Sequence, residues 1–197
     1  MKLEISTFSE FLSLSETNRI IDSLQSAGFC SSVTSSPFAP ITPSRTSSSN
    51  LPLSSLDPSF VDLVLGRLFD ALSWPSTHIE PLHVVRYQPG EQYKPHHDDF
   101  PPIMFYSPSI SEPARLVESG NRLSTALLYL NSDFKGGHTC FPALSLSIEP
   151  KPGMLVAWNN LFDDGTRNPA ALHSGEPILS GLKYIIPVHL RERPFQL

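Results

Sequence analysis

The sequence predicts a mainly β protein with flanking α, a jelly-roll core carrying N-terminal helices packed on one sheet. Three observations lead there. The chain has 20 prolines in 197 residues, roughly twice ordinary usage, and proline does not fit helix interiors. Two segments with helical periodicity stand before Pro75. Beyond Pro75 the texture changes to short apolar runs separated by Pro, Gly, Asn and Asp, the pattern of strands joined by turns. The length fits one domain, 1–197, with a helical flank at 1–74 and a β core at 75–197.

The first helix is expected over 13–27. Ser13 and Glu16 have capping-box spacing, Leu14, Ile20, Ile21 and Leu24 form an apolar face, and Gly28 closes it. Residues 31–58 are rich in Ser, Thr and Pro and read as a loop. A second helix over 58–73 carries Phe60, Val61, Val64, Leu65, Leu68, Phe69 and Leu72 at helical spacing and ends before Pro75. Strands are expected at 83–87, 123–130, 144–148, 154–158 and 183–190. The interval 101–121 holds Pro101, Pro102, Pro108 and Pro113 without a period, and reads as a long loop of the kind that is either a lid or disordered.

Composition narrows the function. The net charge is −5 and no dense basic run occurs, which argues against nucleic acid as a partner. No apolar run reaches the roughly 18 residues of a membrane span, and no signal peptide is visible. Cys30 and Cys140 are too few for a disulfide framework or a cysteine zinc site. A reducing compartment, cytoplasm or nucleus, is therefore expected.

The chemistry-bearing segment is Tyr93-Lys94-Pro95-His96-His97-Asp98-Asp99-Phe100. It holds two overlapping His-x-Asp pairs, and residues two apart on an extended segment point the same way. One more histidine would complete a site, and His173 lies downstream beside the last strand. Two imidazoles and one carboxylate leave positions open for substrate and oxygen on a non-haem Fe(II). Lys183 sits inside an apolar strand, where its ammonium needs a partner. A dicarboxylate cosubstrate bound to the iron at one end would provide it.

These residues resemble the prolyl 4-hydroxylase-like branch of the Fe(II)/2-oxoglutarate dioxygenases, over about Arg45 to Arg191. The blocks come in family order: Arg45-Thr46-Ser47-Ser48, then Glu80 through Arg86-Tyr87 and Gly90 to Tyr93-Lys94-Pro95-His96, then Arg122, Thr125 and Tyr129-Leu130-Asn131. Gly136 to Pro142, Pro150-Lys151-Pro152-Gly153 and His173 through Pro177 to Lys183 complete the series. The resemblance implies a double-stranded β-helix, with His96, Asp98 and His173 as iron ligands and catalytic residues. It assigns Lys183 to the distal carboxylate of 2-oxoglutarate, with Tyr87, Thr125 and Tyr129 lining the cosubstrate pocket. Arg122 and His189 fall at positions facing the substrate.

The histidine directly after proline selects the pair His96 and Asp98, leaving His97 and Asp99 at the cleft rim. The cofactors implied are Fe(II), 2-oxoglutarate and O2, with ascorbate as a reductant. The activity implied is hydroxylation of a prolyl residue in a peptide or protein, releasing succinate and CO2. The alternatives are a free amino acid or other small molecule as substrate, or a jelly-roll binding module without activity. Two departures stand out: His138 where relatives carry an acid, and His189 where they carry an aromatic.

Overall fold

Helix α1 (Leu14–Leu24) begins where Ser13 and Glu16 cap each other. The Ser13 backbone N–H donates to Glu16 Oε2 at 2.7 Å, and the Glu16 N–H to Ser13 Oγ at 3.3 Å. The computed structural model describes residues 3–25, 27–30, 49–101 and 118–195. The helix ends at Leu24 and is capped by Gln25, earlier than the expected close at Gly28. Helix α2 (Pro58–Leu72) starts at Asp57, whose carboxylate accepts from the Ser59 N–H at 2.9 Å, with Pro58 in the first turn. It stops at Ser73, which takes the left-handed conformation (φ 57°) usually left to glycine. Arg67 of α2 ties the helices together, donating to the Phe11 carbonyl at 2.5 Å and to Glu16 at 2.6 Å.

A six-stranded antiparallel sheet carries both helices. Its order is β1 (Ile5–Phe8), β9 (Leu155–Asn159), β5 (Arg122–Tyr129), β12 (Lys183–Arg191), β3 (His83–Tyr87) and β2 (Ser49–Pro52). The facing sheet has β4 (Tyr93–His96), β10 (His173–Gly175), β7 (Thr139–Phe141) and β8 (Leu146–Ile148). A small pair, β6 (Lys135–Gly136) with β11 (Ile178–Ser180), closes one end. This is the expected jelly roll with helices on one sheet.

The large sheet is buried on both faces, and side chains alternate between two cores. Val84, Ala126, Leu128, Leu155, Ala157, Ile186 and Val188 pack with Ile20, Leu24, Phe60, Val64 and Leu68 of the helices. Val85, Leu127, Tyr129, Val156, Trp158 and Ile185 point the other way, toward Phe141, Ala171 and Ile178. The functional residues emerge from that second, inter-sheet face.

Two loop expectations need amendment. Over 31–58, residues 31–48 lie outside the described residues, but the loop's expected end is structured: β2 pairs with β3 (Leu51 opposite Val84) and Leu53–Ser55 form a 3₁₀ turn. Of the expected lid 101–121, residues 102–117 lie outside the described residues. Its flanks are clasped: the Phe100 N–H donates to Asn121 Oδ1 at 2.8 Å, and Asn121 Nδ2 to the Phe100 carbonyl at 3.1 Å. Strands β1, β6, β7, β10 and β11, only two to four residues each, lie outside the expected strands. The run at 144–148 divides into a 3₁₀ turn (Pro142–Leu144) and β8.

Candidate metal centre

Strand pairing brings the two histidines together. β4 runs antiparallel to β10 with His96 opposite His173, and their rings lie 4.3 Å apart. Asp98 follows β4 by two residues and turns its carboxylate between them. His96 Nε2 is 3.5 Å from Asp98 Oδ1, and His173 Nε2 is 3.6 Å from Asp98 Oδ2. The three ligand atoms lie within 4.8 Å of one another.

Each imidazole is oriented from behind. His96 Nδ1 meets the Lys94 carbonyl at 2.8 Å, and His173 Nδ1 the Ala171 carbonyl at 3.0 Å. A carbonyl only accepts, so both Nδ1 atoms carry hydrogen and both Nε2 lone pairs face the carboxylate. Tyr93 stacks on His96 with centroids 3.5 Å apart, and Trp158 and Phe141 pack on His173 at 4.8 and 5.7 Å. Burial pushes the His173 pKa down, which keeps the imidazole neutral, the state a metal needs.

Lys183 opens β12 on the same inner face. Its side chain is buried, Nζ donates to the Gly137 carbonyl at 2.5 Å, and the Tyr87 and Tyr129 rings stand 5.8 and 5.4 Å away. Among the described residues no carboxylate pairs with it. Burial pulls its pKa down to about 8 despite Cys140 and Glu176. Gly137 has φ +68°, and a Cβ there would lie 2.5 Å from Ile178 Cδ1, so the turn that offers this carbonyl requires glycine. Tyr129 is fully buried and donates its hydroxyl to Thr139 Oγ1 at 2.7 Å.

Thr125 stands on β5 four residues before Tyr129, on the same face, about 13 Å away along the strand. Its hydroxyl donates to Asp98 Oδ2 at 2.8 Å, and His189 Nδ1 is 3.2 Å from it. One strand face therefore links the histidine cluster to the lysine. Burial, reinforced by Arg122, pulls the His189 pKa down to about 4, so His189 is neutral. Arg122 forks onto Glu80, Nε and Nη2 each at 2.7 Å, and Arg191 reaches Glu80 Oε1 at 3.0 Å. Burial would raise the Glu80 pKa, but the Arg122 charge and hydrogen bond hold it down at about 2.

The sequence did not disclose Asn160, Trp158 or the role of Arg167. Asp99, expected at the cleft rim, is buried, and both its oxygens accept from Arg167 Nε at 3.1 and 2.9 Å. That pair ties the 161–167 turn to the segment bearing Asp98. Arg167→Ala is expected to lower stability by about 1–3 kcal/mol, because it leaves a buried carboxylate unpaired; urea denaturation measures it.

The profile of the 2OG-Fe(II) oxygenase superfamily matches residues 82–191, more than half of the chain. The chain belongs to this superfamily. Among curated proteins, this chain is 37% identical over 123 residues to a putative prolyl 4-hydroxylase of Acanthamoeba polyphaga mimivirus, covering 61% of the chain and 48% of that protein. It is 33% identical over 141 residues to prolyl 4-hydroxylase subunit alpha-1 of Rattus norvegicus, covering 72% of the chain and 25% of that protein. The chain thus spans about half, or less, of the curated relatives it matches. Among solved structures, the viral collagen prolyl hydroxylase of Paramecium bursaria Chlorella virus-1, a 2OG complex, aligns with a TM-score of 0.71 at 24% identity over 95% of each chain. A Trichoplax adhaerens prolyl hydroxylase in complex with a hypoxia inducible factor peptide fragment aligns at 0.63 and 18% identity, over 95% of this chain and 83% of that one. At these identities the likeness is one of fold.

Proposed function

We propose that this oxygenase is an Fe(II)- and 2-oxoglutarate-dependent dioxygenase that hydroxylates prolyl residues in a peptide or protein. The carrying observation is a buried ammonium, Lys183, without a carboxylate partner among the described residues, on the inner face that also presents the His96, Asp98 and His173 cluster. Curated relatives named prolyl 4-hydroxylases, and a fold neighbour in complex with a peptide, support the substrate class.

The residues fit the groups the family implies. Two imidazoles and one carboxylate suit ferrous iron with open positions. The buried Trp158 indole N–H, edge-on to His173, has no partner among the described residues, an orphaned donor that a polar ligand would satisfy. When bound, iron, 2-oxoglutarate and O2 would supply the oxidation: one oxygen atom of O2 would leave in succinate as 2-oxoglutarate loses CO2, and the other would enter the substrate C–H bond.

His96 and His173 would hold the metal through Nε2, Asp98 through its carboxylate. Lys183 would bind the far carboxylate of 2-oxoglutarate, fixing its length along the β5 face. Tyr87 and Tyr129 would wall that end and exclude water, which strengthens the ion pair. Arg122, held by Glu80, and His189 stand beside Asp98, where a substrate would approach.

Succinate release from 2-oxoglutarate with added Fe(II), and mass spectrometry of proline peptides and of free proline, test the proposal. A gain of one oxygen on a peptide is expected. Gain on free proline alone would move the substrate to small molecules, and no succinate under any condition would overturn the activity.

Binding should also be visible without turnover. Mn(II) with 2-oxoglutarate at about 100 times the dissociation constant stabilises the folded state by roughly 2.7 kcal/mol, about 5–10 °C in Tm for a chain of this size. An unchanged melting curve would count against the site.

A further inference from the structure

Thr125 Oγ1 is the meeting point of three polar groups: Asp98 Oδ2 at 2.8 Å, Asn160 Nδ2 at 2.9 Å and His189 Nδ1 at 3.2 Å. The direction of each bond follows from one fixed point. Asn160 Nδ2 also lies 3.3 Å from the Arg122 carbonyl, which can only accept. The amide must therefore turn its NH2 toward both Arg122 and Thr125, since the opposite orientation would set carbonyl against carbonyl. Thr125 Oγ1 accepts from Asn160, and its single proton goes to Asp98 Oδ2. His189 takes the remaining lone pair and donates from Nδ1. One proton and two lone pairs are all that a hydroxyl has, so the Thr125 hydroxyl has none left for a cosubstrate.

The fold holds this arrangement rigidly. Thr125 lies on β5 with His189 directly opposite on β12. Asn160 follows β9, the other neighbour of β5, and its backbone is fixed by N–H to the Leu123 carbonyl at 2.8 Å and by Asn168 N–H to its own carbonyl at 2.9 Å. Asn160 is fully buried and Thr125 nearly so. Asn160 Oδ1 has no partner among the described residues, a standing cost that an apolar residue would avoid. What an apolar residue could not do is donate to Thr125.

On the metal reading above, we propose that Asn160 and Thr125 are positioning residues for Asp98. Asn160 sets the direction of the Thr125 proton, and Thr125 engages Asp98 Oδ2 so that the carboxylate presents one orientation to the metal.

The test is Co(II) affinity, followed by quenching of tryptophan fluorescence, since Trp158 contacts His173 while Trp74 lies in the helix-side core. Thr125→Val keeps the shape and removes the hydroxyl; it is expected to weaken Co(II) binding by about 10–100-fold, the usual effect of losing a partner behind a metal ligand. Thr125→Ser should restore affinity to near wild type, which a packing role for the lost methyl would not do. Asn160→Ala should weaken binding in the same direction and decides the matter if Thr125→Val does not fold. Melting of the metal-free variants checks that they are folded. Wild-type affinity in folded Thr125→Val, or in folded Asn160→Ala, overturns the relay. Absence of Co(II) binding by the wild type would instead overturn the metal site itself.

Discussion

His96→Ala, Asp98→Ala and His173→Ala are each expected to abolish metal-dependent turnover and to cost metal affinity by more than the roughly 10–100-fold typical of partners behind a ligand. Each removes one of three donors, and the donors left cannot hold the metal in the same place. His97→Ala is the control. His97 is not in the cluster, and its pKa is pushed down by burial and by Arg167. Metal binding should survive its loss. Isothermal titration with Mn(II) separates the two groups, and the reverse pattern would shift the site by one residue along the His96 to Asp99 segment.

Lys183→Ala is expected to raise the 2-oxoglutarate dissociation constant by roughly 10–100-fold, the worth of about 1.5–3 kcal/mol for a charge-assisted bond to a buried carboxylate, while metal affinity stays within a few-fold. The pH dependence has a definite sign. With burial lowering the Lys183 pKa to about 8, cosubstrate affinity should be level below about pH 8 and fall as the ammonium deprotonates above it. The Lys183→Ala variant should lose that dependence. Without cosubstrate, the unfolded chain holds this proton up to its ordinary value near 10.5, so this group makes stability rise between about pH 8 and 10.5. Unchanged affinity and an unchanged pH profile would make Lys183 a structural residue.

The elements most legible in the sequence were those with local signals. The Ser13 and Glu16 box and the apolar spacing from Phe60 to Leu72 mark helices within a few residues, and the long strands β5 and β12 announce themselves as apolar runs. The short strands β6, β7 and β11 are set by their partners across the sheet, which no window along the chain reveals. The site divides the same way. His96, Asp98, His173 and Lys183 stood out because histidine, acid and lysine in apolar surroundings demand a chemical reason. Asn160 and Arg167 did not, because an asparagine after a strand and an arginine in a turn carry no signal until the fold shows Thr125 beside one and Asp99 beside the other. The resemblance places Thr125 in the cosubstrate pocket, while its bond to Asp98 depends on the β5 to β12 register.

The pairing of His96 with His173 across β4 and β10 has a consequence for how the protein is made. The proposed ligands come from distant parts of the chain, with β5 through β9 between them. A nascent polypeptide emerging from the ribosome holds His96 and Asp98 long before His173 appears, and two donors alone bind metal weakly. Capture of the ion therefore waits until nearly the whole barrel has been threaded. On the proposed metal site, the ion would add its binding energy to the completed topology alone, and loading would be a late checkpoint that distinguishes a correctly wound chain from a collapsed one.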